Sequence, residues 1–386
     1  MRDAVIVGAV RTPVGRRGGG LADVHPVDLS GQVLAALAER TGFDPGDVDD
    51  VIWGCVSQAG EQSWNVGRSA VLAAGWPERV PGTTVDRQCG SSQQAVHFAA
   101  ATVMAGQADL AVAGGVESMT RVPMGTSVGD QRPFGQAMRA RYAGVEGFAD
   151  GAVVPFSQGV GAEMIAARWG QSRVQLDEYS LASHEKAAAA QDAGVVDAEL
   201  VPVDGLKADE GVRRDTSLAK LAGLPTPFRP GGVVTAGSAS QISDGAAALA
   251  VTTSEWARAH GLSPLARVHT AVVAADDPVV MLTAVIPATE QVLRRSGLRL
   301  DDIGAYEVNE AFAPVPLAWL AETGADPDRL NPRGGAIALG HPLGASGARI
   351  MTTLVHHMRQ EQVRYGLQAM CEGGGMANAT ILELLP

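Results

Sequence analysis

The stretch Asp-Val-Asp-Asp-Val-Ile-Trp-Gly, residues 47–54, has a counterpart in Asp-Asp-Ile-Gly-Ala-Tyr-Glu-Val, residues 301–308. Each begins with acidic residues and continues into an apolar run that is typical of a buried strand. A second pair follows in the same order, because Asp-Leu-Ala-Val-Ala-Gly-Gly at 109–115 resembles Gln-Ala-Met-Cys-Glu-Gly-Gly-Gly at 368–375. These two pairs indicate that the chain contains two similar halves.

The segments around these stretches support the duplication. The first half predicts strands and helices in alternation, at residues 4–10, 26–40, 48–55, 89–105 and 110–114. The second half predicts a strand at 265–275, a helix at 286–297 and a helix that opens at the turn 344–347. Any two α/β segments look broadly alike, but the matched order of five elements favours duplication. Such alternation is typical of an α/β fold with a mostly parallel sheet covered by helices.

Residues 118–242 differ in character from both halves. They contain a Gly/Arg-rich stretch, a helical stretch and a basic loop that holds prolines, at 124–147, 158–194 and 213–232. We expect an inserted domain that forms one wall of a site. The expected division is an N-terminal half at 1–117 plus 243–264, the inserted loop domain at 118–242 and a C-terminal half at 265–386.

Composition restricts the classes of partner. A formal net charge of −12 argues against nucleic acid and anionic membrane surfaces. The three cysteines, an odd and small number in 386 residues, argue against a disulfide framework and for a reducing compartment. Their spacing shows no metal-binding pattern. Because no apolar stretch is long enough to span a membrane and no signal peptide is evident, we expect a cytoplasmic protein.

Cys89 is the first candidate for chemistry. It follows an expected strand at 83–85 and directly precedes an expected helix. A helix N-terminus carries free N–H groups and a positive dipole end, which can stabilise a thiolate or an oxyanion. A free cysteine is also commonly a small buried apolar residue. Position alone leaves these two interpretations equal.

Three other short motifs contain reactive side chains. His341 lies between Gly340 and Pro342, in the second half's counterpart of the Cys89 region, which favours a position facing Cys89 over a merely structural role. Cys371 precedes three glycines at an expected strand end, where the alternative is a tight hairpin with an incidental cysteine. Asn309 begins Asn-Glu-Ala-Phe at another expected strand end, and alone it is a weak signal.

Together these motifs resemble one family. Gln-Cys89-Gly-Ser-Ser, Asn309-Glu-Ala-Phe, Gly-His341-Pro-Leu-Gly-Ala-Ser-Gly and Cys371-Glu-Gly-Gly-Gly-Met are similar, in order and spacing, to the four active-site motifs of thiolases. The resemblance runs over essentially the whole chain, from Val7 to Gly375. It implies a thiolase-like fold: duplicated βαβαβαββ halves that form a five-layered α-β-α-β-α core, with an inserted loop domain.

The resemblance also implies an activity and the roles of the site residues. The activity is reversible acyl transfer between 3-ketoacyl-CoA plus CoA and acyl-CoA plus acetyl-CoA. Cys89 would be the acylated nucleophile, His341 its base and Cys371 the acid/base at the α-carbon. Asn309 would place a water that holds the enolate oxygen with His341, and the N–H groups of Cys89 and Gly373 would form a second oxyanion hole.

Substrate contacts follow from the same resemblance. Coenzyme A is expected as substrate and product, with no bound cofactor and no metal, and the protein is expected to form a homodimer or homotetramer. The matching positions are Arg213 at the nucleotide, Phe228 and Ser240 along the pantetheine tunnel, and Met281 and Phe312 at the acyl end. Ordinary packing, or for Arg213 a solvated charge, is the alternative at each position.

Departures from the family pattern bear on specificity. Gln158-Gly159 stands where biosynthetic acetoacetyl-CoA thiolases typically have Met-Gly, and Asp86-Arg-Gln-Cys-Gly-Ser-Ser replaces their Asn-Gln-Leu-Cys-Gly-Ser-Gly. These differences favour a degradative thiolase, some of which accept bulky or sterol-derived acyl groups. A short-chain acetyl-CoA acetyltransferase is the alternative. A ketoacyl synthase or a non-catalytic acyl-CoA-binding relative is disfavoured, because Cys89 and Cys371 are both present.

Overall fold

The computed structural model describes residues 2–385, which form ten strands and twelve α-helices. The strands are β1 (Val5–Arg11), β2 (Gly15–Arg16), β3 (Asp50–Gly54), β4 (Gly82–Val85), β5 (Leu110–Ser118), β6 (Ser243–Thr252), β7 (Ala266–Ala275), β8 (Ala305–Val308), β9 (Tyr365–Glu372) and β10 (Met376–Glu383). The helices are α1 (Pro26–Thr41), α2 (Val66–Ala73), α3 (Ser91–Met104), α4 (Gln136–Tyr142), α5 (Gln158–Arg168), α6 (Arg173–Asp192), α7 (Leu218–Ala222), α8 (Ser254–Ala259), α9 (Val285–Ser296), α10 (Pro314–Thr323), α11 (Ala336–Leu339) and α12 (Leu343–Gln360).

The strands form two half-sheets with the same internal order. The path β4-β3-β5-β6-β1 makes the first half-sheet, and β8-β9-β10-β7 makes the second. In each, one parallel pair (β3 with β5, β8 with β9) is followed by one antiparallel strand, β6 or β10, and the first half-sheet has β4 as a further outer strand parallel to β3. The half-sheets are joined at β1 and β7 by two residue pairs, Val5 with Arg267 and Ile6 with Ala266. The predicted duplication is therefore present as a repeated strand order.

The layers follow from three apolar clusters. Helices α3 and α12 lie between the two half-sheets, where Val96, Val103, Met351 and Leu354 are fully buried. Helices α1 and α2 cover the outer face of the first half-sheet, and α9 and α10 cover the outer face of the second. The resulting five layers, α-β-α-β-α, are those that the resemblance implied. Each cluster is large enough for hydrophobic burial to hold its layer in place.

Three details differ from the sequence-based expectation. The strands of each half run mostly in one direction, but β6 and β10 are antiparallel, so the pairings are mixed. Helix α12 begins at Leu343, which places Gly344–Gly347 inside its first turn. The helical stretch 158–194 is two helices, because Gly170 adopts φ +62° and Ser172 starts α6 with a capping box.

The segment between β5 and β6 contains helices α4 to α7 and long loops. Helix α6 packs against α11 and α7, and α5 packs against α10, so this segment lies on the second half. Among residues 2–385, no helix is both long enough and apolar enough to cross a membrane.

Candidate active site

Cys89 lies in a tight turn between β4 and α3. Gln88 adopts a left-handed backbone conformation, φ +48°, and the Ser91 hydroxyl donates to the Gln88 carbonyl (2.6 Å). The same hydroxyl oxygen accepts from the Arg87 N–H (2.9 Å). Cys89 is 2% exposed and packs against Ile350 of the central layer. The turn therefore presents Cys89 at the start of α3 from a fixed backbone.

Close backbone contacts bring the starts of α3 and α12 together. A side chain at Gly344 would lie 2.5 Å from the Val116 carbonyl, and one at Gly347 would collide with the Gln93 backbone. A side chain at Gly115 would collide with the Gly344 carbonyl. We call Gly54, Gly115, Gly344 and Gly347 the glycine junction. Only glycine permits this approach, so the junction fixes the Cys89 turn relative to the His341 loop.

A buried carboxylate links the first half to the start of α12 through hydrogen bonds. Glu117, at the end of β5, accepts hydrogen bonds from the N–H groups of Val56 (3.0 Å), Ser57 (3.0 Å) and Gly344 (2.9 Å) and from Gln62 (2.9 Å). Burial raises the pKa of Glu117, and these donors act against the rise. Because Gly344 belongs to the first turn of α12, the first half holds the helix that follows His341.

The hydrogen bonds of His341 define its tautomer. Nδ1 lies 2.6 Å from Ser346 Oγ, and that hydroxyl donates its one proton to the Pro342 carbonyl (2.8 Å). Nδ1 must therefore carry the proton, which leaves Nε2 as an acceptor. Burial, helped by the nearby Arg349 charge, lowers the pKa of His341 to about 3. The imidazole is therefore neutral with a free Nε2 lone pair that can accept a proton, while burial makes its protonated form costly.

Asn309 and Cys371 lie beside this imidazole. Asn309 Nδ2 is 3.4 Å from His341 Nε2, and the Cys371 sulfur is 4.0 Å from the Asn309 carbonyl oxygen. Both are almost fully buried, and Asn309 Oδ1 has no hydrogen-bond partner among the described residues. Parallel pairing of β8 with β9 produces this proximity, because Asn309 follows one strand and Cys371 ends the other.

Burial keeps both thiols protonated in the ligand-free site. It raises the pKa of Cys371 to about 12, against a lowering by Asn309. It also raises the pKa of Cys89, further increased by Cys371 and Glu372, while hydrogen bonds from the N–H groups of Gly373 and Cys89 lower it. The helix N-terminus therefore does not by itself make Cys89 a thiolate, and a base is needed. Within residues 2–385, no hydrogen bond joins Cys89 to His341.

A cavity of about 820 Å³ opens beside the His341 loop. Its wall includes Arg213, Phe228 and Ser240, three of the expected CoA contacts. The cavity also takes in Gln241, whose carbonyl accepts from the His341 N–H (3.0 Å). Basic side chains at one end and an apolar wall at the other suit a long ligand with phosphate groups.

Phe312 belongs to the apolar cluster of the second half, which also contains Cys371. Its ring lies edge-to-face with Phe228, with centroids 5.6 Å apart. Helix α5 approaches Phe228 at Gly159, where any side chain would collide with the ring. Because Phe228 lines the cavity, this ring pair connects the cavity wall to the cluster that contains Cys371.

A second cavity has a volume of about 620 Å³. Gln88, which precedes Cys89, and Gly373 line it together with Met281. The inserted segment contributes large apolar side chains to its lining, namely Phe134, Met138, Tyr142, Val154 and Phe156. Met281 and Phe312 belong to the same apolar cluster of the second half, and Met281 is the one that lines this cavity.

Sequence reasoning missed several residues of the site. Arg16, Arg17 and Arg214 line the larger cavity with Arg213. The pair Arg16-Arg17, directly before three glycines, was the sequence feature that could have indicated a site for an anionic ligand. Ser346, which sets the His341 tautomer, had no signal of its own beyond its place in the glycine-rich motif. Within residues 2–385, no group of three or more His, Cys, Asp or Glu side chains is arranged to hold a metal ion.

This arrangement can perform acyl transfer with proton transfer at carbon. One thiol can form a thioester while the N–H groups of Cys89 and Gly373 stabilise an oxyanion. The second thiol, beside a neutral imidazole and an amide, can exchange a proton with a substrate carbon atom. One cavity adjoins the His341 loop through Gln241, and the other includes Gln88 and Gly373 beside the thiols.

Comparison with known proteins agrees with this chemistry. Residues 4–255 match the family model described as "Thiolase, N-terminal domain", and residues 262–384 match "Thiolase, C-terminal domain". The chain is 50% identical over 391 residues to the steroid 3-ketoacyl-CoA thiolase FadA6 of Mycobacterium tuberculosis, covering 100% of this chain and 95% of that protein. It is 42% identical to a 3-ketoacyl-CoA thiolase of Yersinia pestis, with 100% of both covered.

Comparison with solved structures indicates the same family. The crystal structure of the Bacillus anthracis acetyl-CoA acetyltransferase superposes with a TM-score of 0.90 at 35% sequence identity, covering 100% of this chain and 99% of that one. The duplicated fold, the two-thiol site and matches to both family models over nearly the full chain lead to one assignment: the protein belongs to the thiolase family.

Proposed function

We propose that the protein is a degradative 3-ketoacyl-CoA thiolase, which transfers an acyl group from 3-ketoacyl-CoA to CoA through an acyl-Cys89 intermediate and releases acetyl-CoA. The observation that carries the proposal is the pair of interacting buried thiols, Cys89 and Cys371, with Asn309 in contact with both Cys371 and His341. The relatives named as 3-ketoacyl-CoA thiolases support the direction.

In the first step, His341 Nε2 accepts the Cys89 proton, and the thiolate adds to the 3-keto carbonyl carbon of the substrate. The N–H groups of Cys89 and Gly373 stabilise the resulting oxyanion. The oxyanion re-forms its carbonyl as the adjacent carbon–carbon bond breaks, and the electron pair passes to the enolate of acetyl-CoA. His341, now protonated, and a water held by Asn309 stabilise the enolate oxygen.

In the second step, Cys371 donates its proton to the α-carbon of the enolate, and acetyl-CoA leaves. The incoming CoA thiol then loses its proton to the Cys371 thiolate and attacks the acyl-Cys89 thioester. Cys89 departs as a thiolate and recovers its proton from His341. Bonds and protons balance over the cycle, and the reverse sequence is the Claisen condensation.

We further propose that the acyl group is bulky and apolar. The second cavity adjoins Gly373 and Met281 and offers about 620 Å³ lined by aromatic and methionine side chains. Gln158, the first residue of α5, also lines this cavity. The relative from M. tuberculosis, whose name specifies a steroid substrate, supports a sterol-derived acyl group.

CoA is proposed to occupy the larger cavity. Arg16, Arg17 and Arg213 would contact its phosphate groups, and Phe228 and Ser240 would line its pantetheine arm. The inserted segment 118–242 would act as the loop domain between the halves 1–117 plus 243–264 and 265–386.

We also propose a cytoplasmic homodimer or homotetramer. Strand β4 is the outer strand of its half-sheet, so one edge of its backbone is free to pair with a second copy. Trp64, 84% exposed, gives the same region an apolar surface. Sedimentation equilibrium tests this, and a monomer at micromolar concentration would contradict it.

Thiolysis by purified protein plus CoA tests the function. The substrates are acetoacetyl-CoA, a long-chain 3-ketoacyl-CoA and a 3-ketoacyl-CoA with a fused-ring acyl group, and Cys89→Ala is the control. A higher kcat/KM for the fused-ring substrate supports the proposal. Reaction with acetoacetyl-CoA alone would make the protein a short-chain acetyl-CoA acetyltransferase. Decarboxylation of malonyl-CoA without thiolysis would make it a ketoacyl synthase.

A further inference from the structure

Glu372 follows Cys371 in β9, and its carboxyl group has no assigned role in the reaction. The side chain is completely buried, and neither carboxyl oxygen has a hydrogen-bond partner among the described residues. It points to the start of α3, where a side chain at Gly90 would collide with Glu372 Oε1. The carboxyl group therefore lies against the residue that follows Cys89.

The amide oxygen of Asn378, on β10, is aimed at the same place. A side chain at Gly90 would lie 2.6 Å from Asn378 Oδ1. Asn378 Nδ2 donates to Gln94 (3.2 Å) and lies 3.0 Å from His97 Nδ1, so the amide orientation is fixed by both contacts. Asn378 Oδ1 is itself buried with no donor.

Two buried groups that only accept hydrogen bonds would repel one another. A proton on Glu372 removes the conflict, because a neutral carboxyl group can donate an O–H to Asn378 Oδ1. We propose that Glu372 is a positioning residue of the thiolase site: it works as a neutral carboxylic acid, and its ionisation switches off Cys89. This inference rests on the proposed function for its effect on turnover.

The charges around Glu372 are consistent with this role. Burial raises its pKa to about 8; Arg87, before α3, and the backbone N–H of Asn378 act in the opposite direction, and Asp86 adds to the rise. Glu372 in turn raises the pKa values of Cys89 and Cys371. His97 is neutral, because burial lowers its pKa to about 3.

The ionisation of Glu372 determines whether kcat/KM rises or falls with pH. Below pH 8 Glu372 is neutral and does not oppose the Cys89 thiolate or the oxyanion beside Gly373. Above pH 8 a buried anion forms next to both, so formation of the thiolate and the oxyanion becomes harder. We therefore expect kcat/KM to fall on the alkaline side through loss of one proton, although a simple thiol nucleophile would gain activity there.

Glu372→Gln is the matched test, since glutamine has the same shape and cannot ionise. We expect the variant to lose the alkaline fall, so that the ratio of its kcat/KM to that of the wild type rises about tenfold between pH 7 and pH 9.5, the effect of a rise of about one unit in the Cys89 pKa. Asp86→Asn is the control for loss of a nearby charge and should keep the alkaline fall. A folded Glu372→Gln enzyme that keeps the wild-type alkaline fall, or is inactive at every pH, overturns the proposal.

Two measurements are independent of turnover. The infrared difference between wild type and Glu372→Gln should contain the C=O band of a protonated carboxylic acid at pH 7 and lose it by pH 9.5; an ionised carboxylate at pH 7 overturns the proposal.

Alkylation of Cys89 by iodoacetamide, followed by mass spectrometry, should be about tenfold faster in the variant at pH 9.5. If Glu372→Gln does not fold, Glu372→Met is used in the same measurements. Absence of thiolysis by the wild type would refute the proposed function and leave these two results to decide the role of Glu372.

Discussion

The surroundings of the two reactive sulfur atoms differ, and so should the effects of removing them. Cys89 receives the N–H groups of the oxyanion site, whereas Cys371 faces the Asn309 carbonyl and the imidazole. We expect Cys89→Ala to lower thiolysis by about 10⁴-fold or more, because the acyl acceptor is lost. Steady-state assay of the purified variant, with circular dichroism to establish folding, checks this.

Cys371→Ala should separate the two half-reactions. Acetyl-CoA should still acylate Cys89 slowly, seen as a mass increase of the intact protein, while condensation and thiolysis fall by about 10³-fold, the size of a lost acid/base group. Full activity in this variant would refute the two-thiol mechanism. Cys55→Ala is the matched control, because Cys55 is buried in the outer cluster of the first half.

The sequence predicts the reactive residues but not their protonation states. Cys89, Asn309, His341 and Cys371 lie in motifs whose side-chain types are specific to the chemistry. The tautomer of His341 depends instead on the direction of the Ser346 hydroxyl, which only the first turn of α12 defines. The raised pKa of Cys89 likewise depends on burial, which the helix-dipole argument did not include.

At the scale of secondary-structure elements, the glycine junction controls how closely α3 and α12 approach. Gly344→Ala would place a methyl group 2.5 Å from the Val116 carbonyl and 2.7 Å from Cys55 Cα. Backbone atoms cannot move as a side chain can, so we expect a loss of about 2–3 kcal/mol in the free energy of unfolding. Denaturant titration measures this.

The same substitution should also lower activity, because the His341 loop would shift relative to Cys89. Gly135→Ala is the control: Gly135 has nothing within 4 Å of the added methyl group and a φ of −72°. Equal stability of the two variants would show that the junction tolerates a larger separation than the structure indicates.

Element positions were largely predictable from hydrophobic periodicity, and the exceptions have local causes. The strands at 4–10, 48–55 and 110–114 are confirmed within two residues at their starts, because buried β-branched runs have few alternatives. The antiparallel direction of β6 and β10 was not predictable, since direction depends on tertiary connections. Between residues 265 and 385 the second half has no strand equivalent to β4, and a single bridge between Tyr306 and Leu330 takes its place.

At the scale of the whole molecule, charge is unevenly distributed. The net charge is −12, yet the larger cavity is lined by four arginines, Arg16, Arg17, Arg213 and Arg214, against two acidic residues, Glu210 and Asp215. A polyanionic substrate must therefore be attracted locally against an opposing overall field. We expect the KM for CoA to rise with ionic strength between 0.05 and about 0.5 M salt, while kcat changes little.

Substitution at this cluster should have a similar effect. Arg16→Gln combined with Arg17→Gln should raise the KM for CoA about threefold to tenfold and weaken its salt dependence. Arg258→Gln, on the exposed side of α8, removes a charge of the same sign away from the cavity and is the control. An unchanged KM in the double variant would place the CoA phosphates elsewhere.

The glycine junction also has a consequence for the order of events during folding. Gln93 and Gly347 are in contact although most of the chain lies between them in sequence. Gln93 belongs to α3 of the first half, and Gly347 belongs to α12 of the second half. Contacts so distant in sequence form late, after the local structure on either side has been built. On dilution from denaturant, the far-ultraviolet signal of the helices should therefore recover first. Thiolysis should return in a slower phase, whose rate Gly344→Ala decreases.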